Sequence, residues 1–372
     1  MKTNYLLGFA LLAMSMAGCS QSEVIDSGVP TDQRVIGFAT YANQTKGTPI
    51  ADNAAFAVNG REFGVAAFLG AQTTPYVGTA AKGTQIHYGT AWDYQVSSEI
   101  RFWPSAGVMQ FYAYTPFTDA ARGAVPAFAN PVGGASSMTF NDYTVPTDAA
   151  QQQDFMFAFT NVADVSTASG SPVSLNFKHA LTQIHFAART EADNMHVAIA
   201  KDGISLCNVS PKSSFTVKGG AGMWSISTPT AAELVDYVVP SDEILTIGYH
   251  ATDYTKLDNA AKSYVMLIPQ STTAWATTGA ITATTTGSYI SISCKIWIEN
   301  GTDQVYLHGT DAAYATLYMP LAYVWTAAQN LTYNLTFGGG YDVNGKPILK
   351  PITYTTTITE GWATATSSDV VL

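Results

Sequence analysis

Charge is scarce in this chain of 372 residues, with charged side chains at 12% against roughly 25% in a typical soluble domain. What charge there is leans acidic: 17 Lys and Arg stand against 27 Asp and Glu, a formal net charge of -10. That balance argues against nucleic acid as a partner, because phosphate contact needs clustered Lys and Arg. No internal apolar run approaches the about 20 residues of a membrane span. Cysteine is limited to Cys19, Cys207 and Cys294, and no Cys/His spacing suits a metal. Of the six histidines, His179 and His185 would stand about 20 Å apart along one strand, too far to share an ion. No Gly-x-Ser-x-Gly frames a nucleophile, and no carboxylate pair stands in a recognisable frame for glycoside hydrolysis. The expectation is a protein without cofactor, metal or catalytic centre. The seven tryptophans read mainly as core or interface residues, with a sugar-stacking platform as the minor alternative.

What is present begins at the N-terminus. Met1-Lys2, the apolar run Tyr5 to Met14 and the small pair Ala17-Gly18 make a secretory signal. Cys19 directly after that pair resembles the lipobox of bacterial lipoprotein precursors. Cleavage between Gly18 and Cys19 and lipidation of Cys19 are what that likeness implies. Residues 20–34 are polar and read as a tether. In the exported setting a Cys207–Cys294 disulfide is permitted, but both lie in strand-like alternation, which favours two buried, unpaired thiols.

The rest of the chain is rich in short β-type segments bounded by Gly, Pro, Asn and Asp. They are 35–41, 63–69, 108–114, 173–177, 263–268, 289–298 and 331–337. The segment 178–184 is read as continued strand. Gly338-Gly339-Gly340 is read as a turn, and Asp342-Val343-Asn344-Gly345 as a hairpin turn rather than a calcium loop. The polar stretch 163–172 is the best linker candidate. The expected layout is all-β: a signal peptide 1–18, a tether 19–34, and two sandwich domains, 35–168 and 169–372.

Four segments, with the lipobox ahead of them, resemble the fimbrillin family of Bacteroidales. They are Arg101-Phe102-Trp103-Pro104 with Met109 to Pro116; Asp154 to Ala158 with Val173 to Ile184; Leu267-Ile268-Pro269-Gln270; and Trp325 to Leu335. The resemblance implies transthyretin-like β-sandwiches and a structural, non-enzymatic subunit of a type V pilus that supports adhesion. It implies an outer-membrane lipoprotein precursor, exposed at the surface and then incorporated into a fimbrium, with other fimbrial subunits as partners.

The resemblance further implies that a trypsin-like or gingipain-like protease cuts after a basic residue behind the first strand. Lys46, before Gly47, matches that position; Arg34 precedes the strand and would leave it attached. The strand carrying Ile36 and Phe38 would then be lost, and a neighbour's strand would fill its place. The alternating segment with Ile352, Tyr354 and Ile358 on one face is a candidate donor, or else the last strand of its own domain. A tip adhesin, an anchor subunit and a surface glycan-binding lipoprotein are the competing readings.

Overall fold

The computed structural model describes residues 34–42, 50, 52–120, 122–168, 171–225, 228–257, 263–276, 281–341, 347–349 and 352–358. Within them β-strands dominate, as the alternating segments predict, and helices are limited to single turns such as Asn53–Phe56 and Val165–Ala168.

A seven-stranded sheet runs in the order Phe38–Ala42, Val173–His179, Met156–Val162, Met109–Thr115, Glu62–Leu69, Thr84–Tyr88, Trp92–Tyr94. The first pair is parallel and the others are antiparallel. Its central strands are covered on both faces. Phe63, Val65, Phe111, Ala113 and Phe177 enter one core, while Phe68, Tyr112, Tyr114 and Phe157 enter another. That is why 63–69 reads as a continuous apolar run rather than an alternating one. Val173–His179 alternates strictly because only one of its faces is covered.

The second core lies against a four-stranded sheet, in the order Ala221–Ser225, Lys212–Lys218, Ser137–Thr144, Pro126–Ala129. Tyr114 meets Phe140 at 5.2 Å and Phe157 meets Phe215 at 5.2 Å between ring centroids. Strands on both sides of residue 168 therefore share sheets, and contacts join Arg34–Leu372 into one unit. Within the expected linker 163–172, the described residues 163–168 are held against the sheet. Val165 is buried, its N–H donates to Gly107 O at 3.0 Å, and the flanking strands pair with each other.

The segment 178–184 is not one continued strand, because the chain breaks at Ala180 and Leu181 as it passes from one sheet to the next. Val173–His179 ends, Ala180 and Leu181 are buried, and Thr182–Thr190 starts in a five-stranded sheet. There Thr182–Thr190 pairs parallel with Asn330–Phe337, which carries Thr353–Ile358 on its far side. A six-stranded sheet built on Met195–Val209 and Tyr289–Asn300 faces it. Ile184, Phe186, Tyr333 and Leu335 from one sheet and Ile199, Leu206, Ile292 and Ile296 from the other share a single core. Near the C-terminus the glycine run is not merely a turn. Gly339–Tyr341 is a strand paired with Pro347–Leu349, and the expected turn residues 342–345 lie outside the described residues.

Candidate functional site

The arrangement with most bearing on function is the seat of the first strand. Phe38–Ala42 stands at one end of the seven-stranded sheet, in register with Val173 to Phe177. The sheet curls so that its other end comes close. Trp92 Nε1 donates to Thr40 Oγ1 at 2.9 Å, and the Phe38 and Tyr94 rings lie 5.8 Å apart. The first strand thus fills a seam, with a backbone ladder on one side and side-chain contacts on the other.

Alternation places Ile36, Phe38, Thr40 and Ala42 inward. Phe38 meets Phe63 at 5.9 Å and Phe111 at 6.4 Å, edge to face in both cases. Tyr41 points outward and is 55% exposed. Ahead of the strand, residues 34–36 are held by the tryptophan motif. Ile36 N–H donates to Arg101 O at 2.8 Å, and Trp103 N–H donates to Arg34 O at 2.9 Å. Tyr94 OH adds a bond to Ile36 O at 3.0 Å. Burial of Ile36 and Phe38 stabilises by about 1.5–3 kcal/mol each. A seam emptied of this strand would expose the Phe63, Phe111 and Phe177 wall and one unpaired edge of Val173–His179.

Of the other expected sites, Gly18, Cys19, Lys46 and Gly47 lie outside the described residues. Arg34 is exposed, but its backbone is docked on Trp103. The donor candidate sits as the edge strand Thr353–Ile358 of the five-stranded sheet, paired along Asn330–Phe337. Tyr354 is buried, its ring 5.2 Å from Tyr333, and Ile352 and Ile358 pack on the same core.

Cys207 and Cys294 are buried and unbonded. They lie on neighbouring strands, but Cys207 faces Tyr289 and Cys294 faces Ile199 in the register. That offset far exceeds the roughly 4.4–6.8 Å between Cα atoms that a disulfide allows. Burial pushes the Cys207 thiol up to about 11 and the Cys294 thiol up to about 12. Neither is poised as a nucleophile. His179 is buried and bonded to Asp154, whereas His185 packs near the Tyr264 ring, 5.5 Å away. Among the described residues, no three His, Cys, Asp or Glu side chains converge as metal ligands.

The seam itself escapes sequence reasoning. Alternation marks Phe38 and Phe177 as inward-facing, but nothing local says that their strands are neighbours. The only signal is the tryptophan motif, whose backbone clasps residues 34–36.

A comparison with curated proteins finds no match. Solved structures with a similar course of chain include a candidate cell adhesion protein of Bacteroides uniformis, 13% identical, TM-score 0.43, covering 90% of this chain and 100% of that one. Another, from Bacteroides ovatus, is 16% identical with a TM-score of 0.41, covering 92% and 99%. A candidate adhesin of Bacteroides thetaiotaomicron is 8% identical with a TM-score of 0.35, covering 89% and 100%. The model of the fimbrillin-like family matches residues 45–362, and the chain belongs to that family.

Proposed function

We propose that this protein is a structural, non-enzymatic subunit of a cell-surface fimbrium, supports adhesion, and polymerises by protease-activated strand exchange. The observation that carries the reading is the seam. A short N-terminal strand with a few large apolar side chains completes a sheet whose neighbours are otherwise fully formed. Such a strand is separable in principle, because its removal leaves a ready template for another extended segment.

In this reading Cys19 anchors the precursor to lipid, and the chain is cut after Lys46 by a trypsin-like or gingipain-like protease. Arg34 is the poorer target, since a protease needs extended, undocked backbone and Arg34 O is engaged. The released segment carries Ile36 and Phe38 away. The C-terminal strand of a neighbouring subunit then enters beside Val173–His179, with Tyr354 in place of Phe38. Docked on its own sheet, that strand covers Tyr333 until exchange takes place. A subunit whose last strand never leaves its own sheet would instead cap the fibre as a tip adhesin.

Lys46→Ala, with Arg34→Ala as control, should give a folded monomer that no protease converts into SDS-resistant ladders. Ladders from the Lys46→Ala protein would refute the maturation step. Loss of fatty-acid labelling in Cys19→Ala checks the anchor; unchanged labelling removes it from the scheme.

A further inference from the structure

A second feature shares no residue with the seam and lies among the C-terminal strands. It is a cleft of about 1040 Å3, walled by residues 269–276 and 284–288 together with Asn208 and Trp224. Among the described residues, no side chain lining the cleft is charged. The exposed carboxylate of Asp236 lies behind the Asn208 backbone, accepting its N–H at 3.0 Å, and is not among the lining residues.

The wall is held in a fixed shape by two unusual positions. Asn208 adopts φ +56°, where the ladder between Met195–Val209 and Val235–Val239 slips register between Leu206 and Val209. Such bulges re-aim side chains. Here the Asn208 amide donates to Thr285 O at 2.8 Å and to Gly287 O at 3.0 Å, while Asn208 O accepts from Ser288 Oγ at 2.9 Å. At Gly287 a Cβ would stand 2.4 Å from Trp275 Cα. Only glycine lets the 287–288 backbone lie against Trp275, whose N–H donates to Ser288 O at 2.9 Å.

The Trp275 indole is half-buried. The rings of Tyr289 and Tyr318 meet it edge to face, 6.0 and 6.5 Å away at 62° and 69°, and it lines the cleft. Around it, Thr228, Ser271, Thr273 and Thr286 are exposed, and their hydroxyls have no hydrogen-bond partner among the described residues.

These features select a ligand chemistry. A phosphate, sulfate or carboxylate entering here would shed water without meeting a counter-charge. A sugar ring offers an apolar C–H face for the indole and hydroxyls that both donate and accept, as Thr and Ser do. We infer that the cleft between residues 269–276 and 284–288 binds a neutral oligosaccharide, with Trp275 as its stacking surface. The site does not depend on strand exchange, since its residues lie outside the seam.

The test is titration of the purified full-length chain with neutral hexasaccharides of glucose, galactose, mannose and xylose, followed by calorimetry. Dextran sulfate and an uncharged Gly-Ser peptide serve as competitors of other chemistry. At least one neutral hexasaccharide should bind saturably, and Trp275→Ala should weaken it about tenfold or more. Trp275→Phe should retain part of the affinity. Thr273→Val, a change at an exposed hydroxyl, should weaken binding without removing the ring. Failure of all four neutral sugars, tighter binding of dextran sulfate or the peptide, or wild-type affinity in both Trp275→Ala and Thr273→Val would overturn the assignment. None of these outcomes bears on ladder formation.

Discussion

His179 Nδ1 stands 3.0 Å from Asp154 Oδ1, with the side chains only 4% and 2% exposed. The pair sits where the chain leaves the seven-stranded sheet for the next one. Ala180 N–H donates to Phe155 O at 2.8 Å, and Ala180 O accepts from Trp224 Nε1 at 2.7 Å. The handover is thus tied to the strand Met156–Val162 on one side and to the four-stranded sheet on the other.

Removing one member of a buried hydrogen-bonded pair leaves the other's polar atom unsatisfied, at a cost of about 1–3 kcal/mol. Asp154→Ala should therefore lower the urea midpoint strongly. The double variant with His179→Ala should lose far less than the sum of the two single changes. Strict additivity in that cycle would show that the two side chains do not support each other.

Gly64 lies opposite Tyr114 in the ladder, and the tyrosine ring lies over it. A Cβ on Gly64 would stand 2.3 Å from Tyr114 Cε1. The ring cannot retreat freely, because it packs on Phe140 and Phe117. Gly64→Ala should cost about 1–3 kcal/mol through overpacking. Thermal unfolding of the Gly64→Ala protein at an unchanged temperature would contradict this account of the contact.

The buried thiols give a pH signature. With Cys207 raised from 9.0 to about 11 by burial, the folded chain keeps a proton that the unfolded chain releases in that interval. Stability from this group is complete below about pH 9 and is lost as pH rises towards 11. Cys294, raised to about 12, extends the same trend upward. A Cys207→Ala, Cys294→Ala double variant should show a shallower alkaline decline in its denaturant midpoint than the parent. Identical slopes would mean that the thiols ionise alike in both states.

Much of the β architecture is legible in the chain. Val173 to Phe177 alternates because one face meets Phe63 and Phe56 while Ser174 and Asn176 meet water. Tyr289 to Ile298 alternates for a similar reason, with Ile290, Ile292, Cys294 and Ile296 inward. What local pattern cannot carry is which strands become neighbours. Ser137–Thr144 pairs with Lys212–Lys218, so sheets run across the expected boundary at 168. The polar residues of 163–172 suggest a linker, yet Val165 is buried and bonded to Gly107. The cleft at Trp275 is equally hidden, since Asn208 and Gly287 are distant in sequence and meet only through the bulge.

The parallel pairing of Phe38 with Val173 also sets an order of events. The first strand is made long before its partner, and a contact so distant in sequence forms late. Until Val173–His179 arrives, the N-terminal segment has no seat and the aromatic wall has no cover. The segment that completes the seven-stranded sheet is therefore among the last parts to fold, although it is among the first to be made.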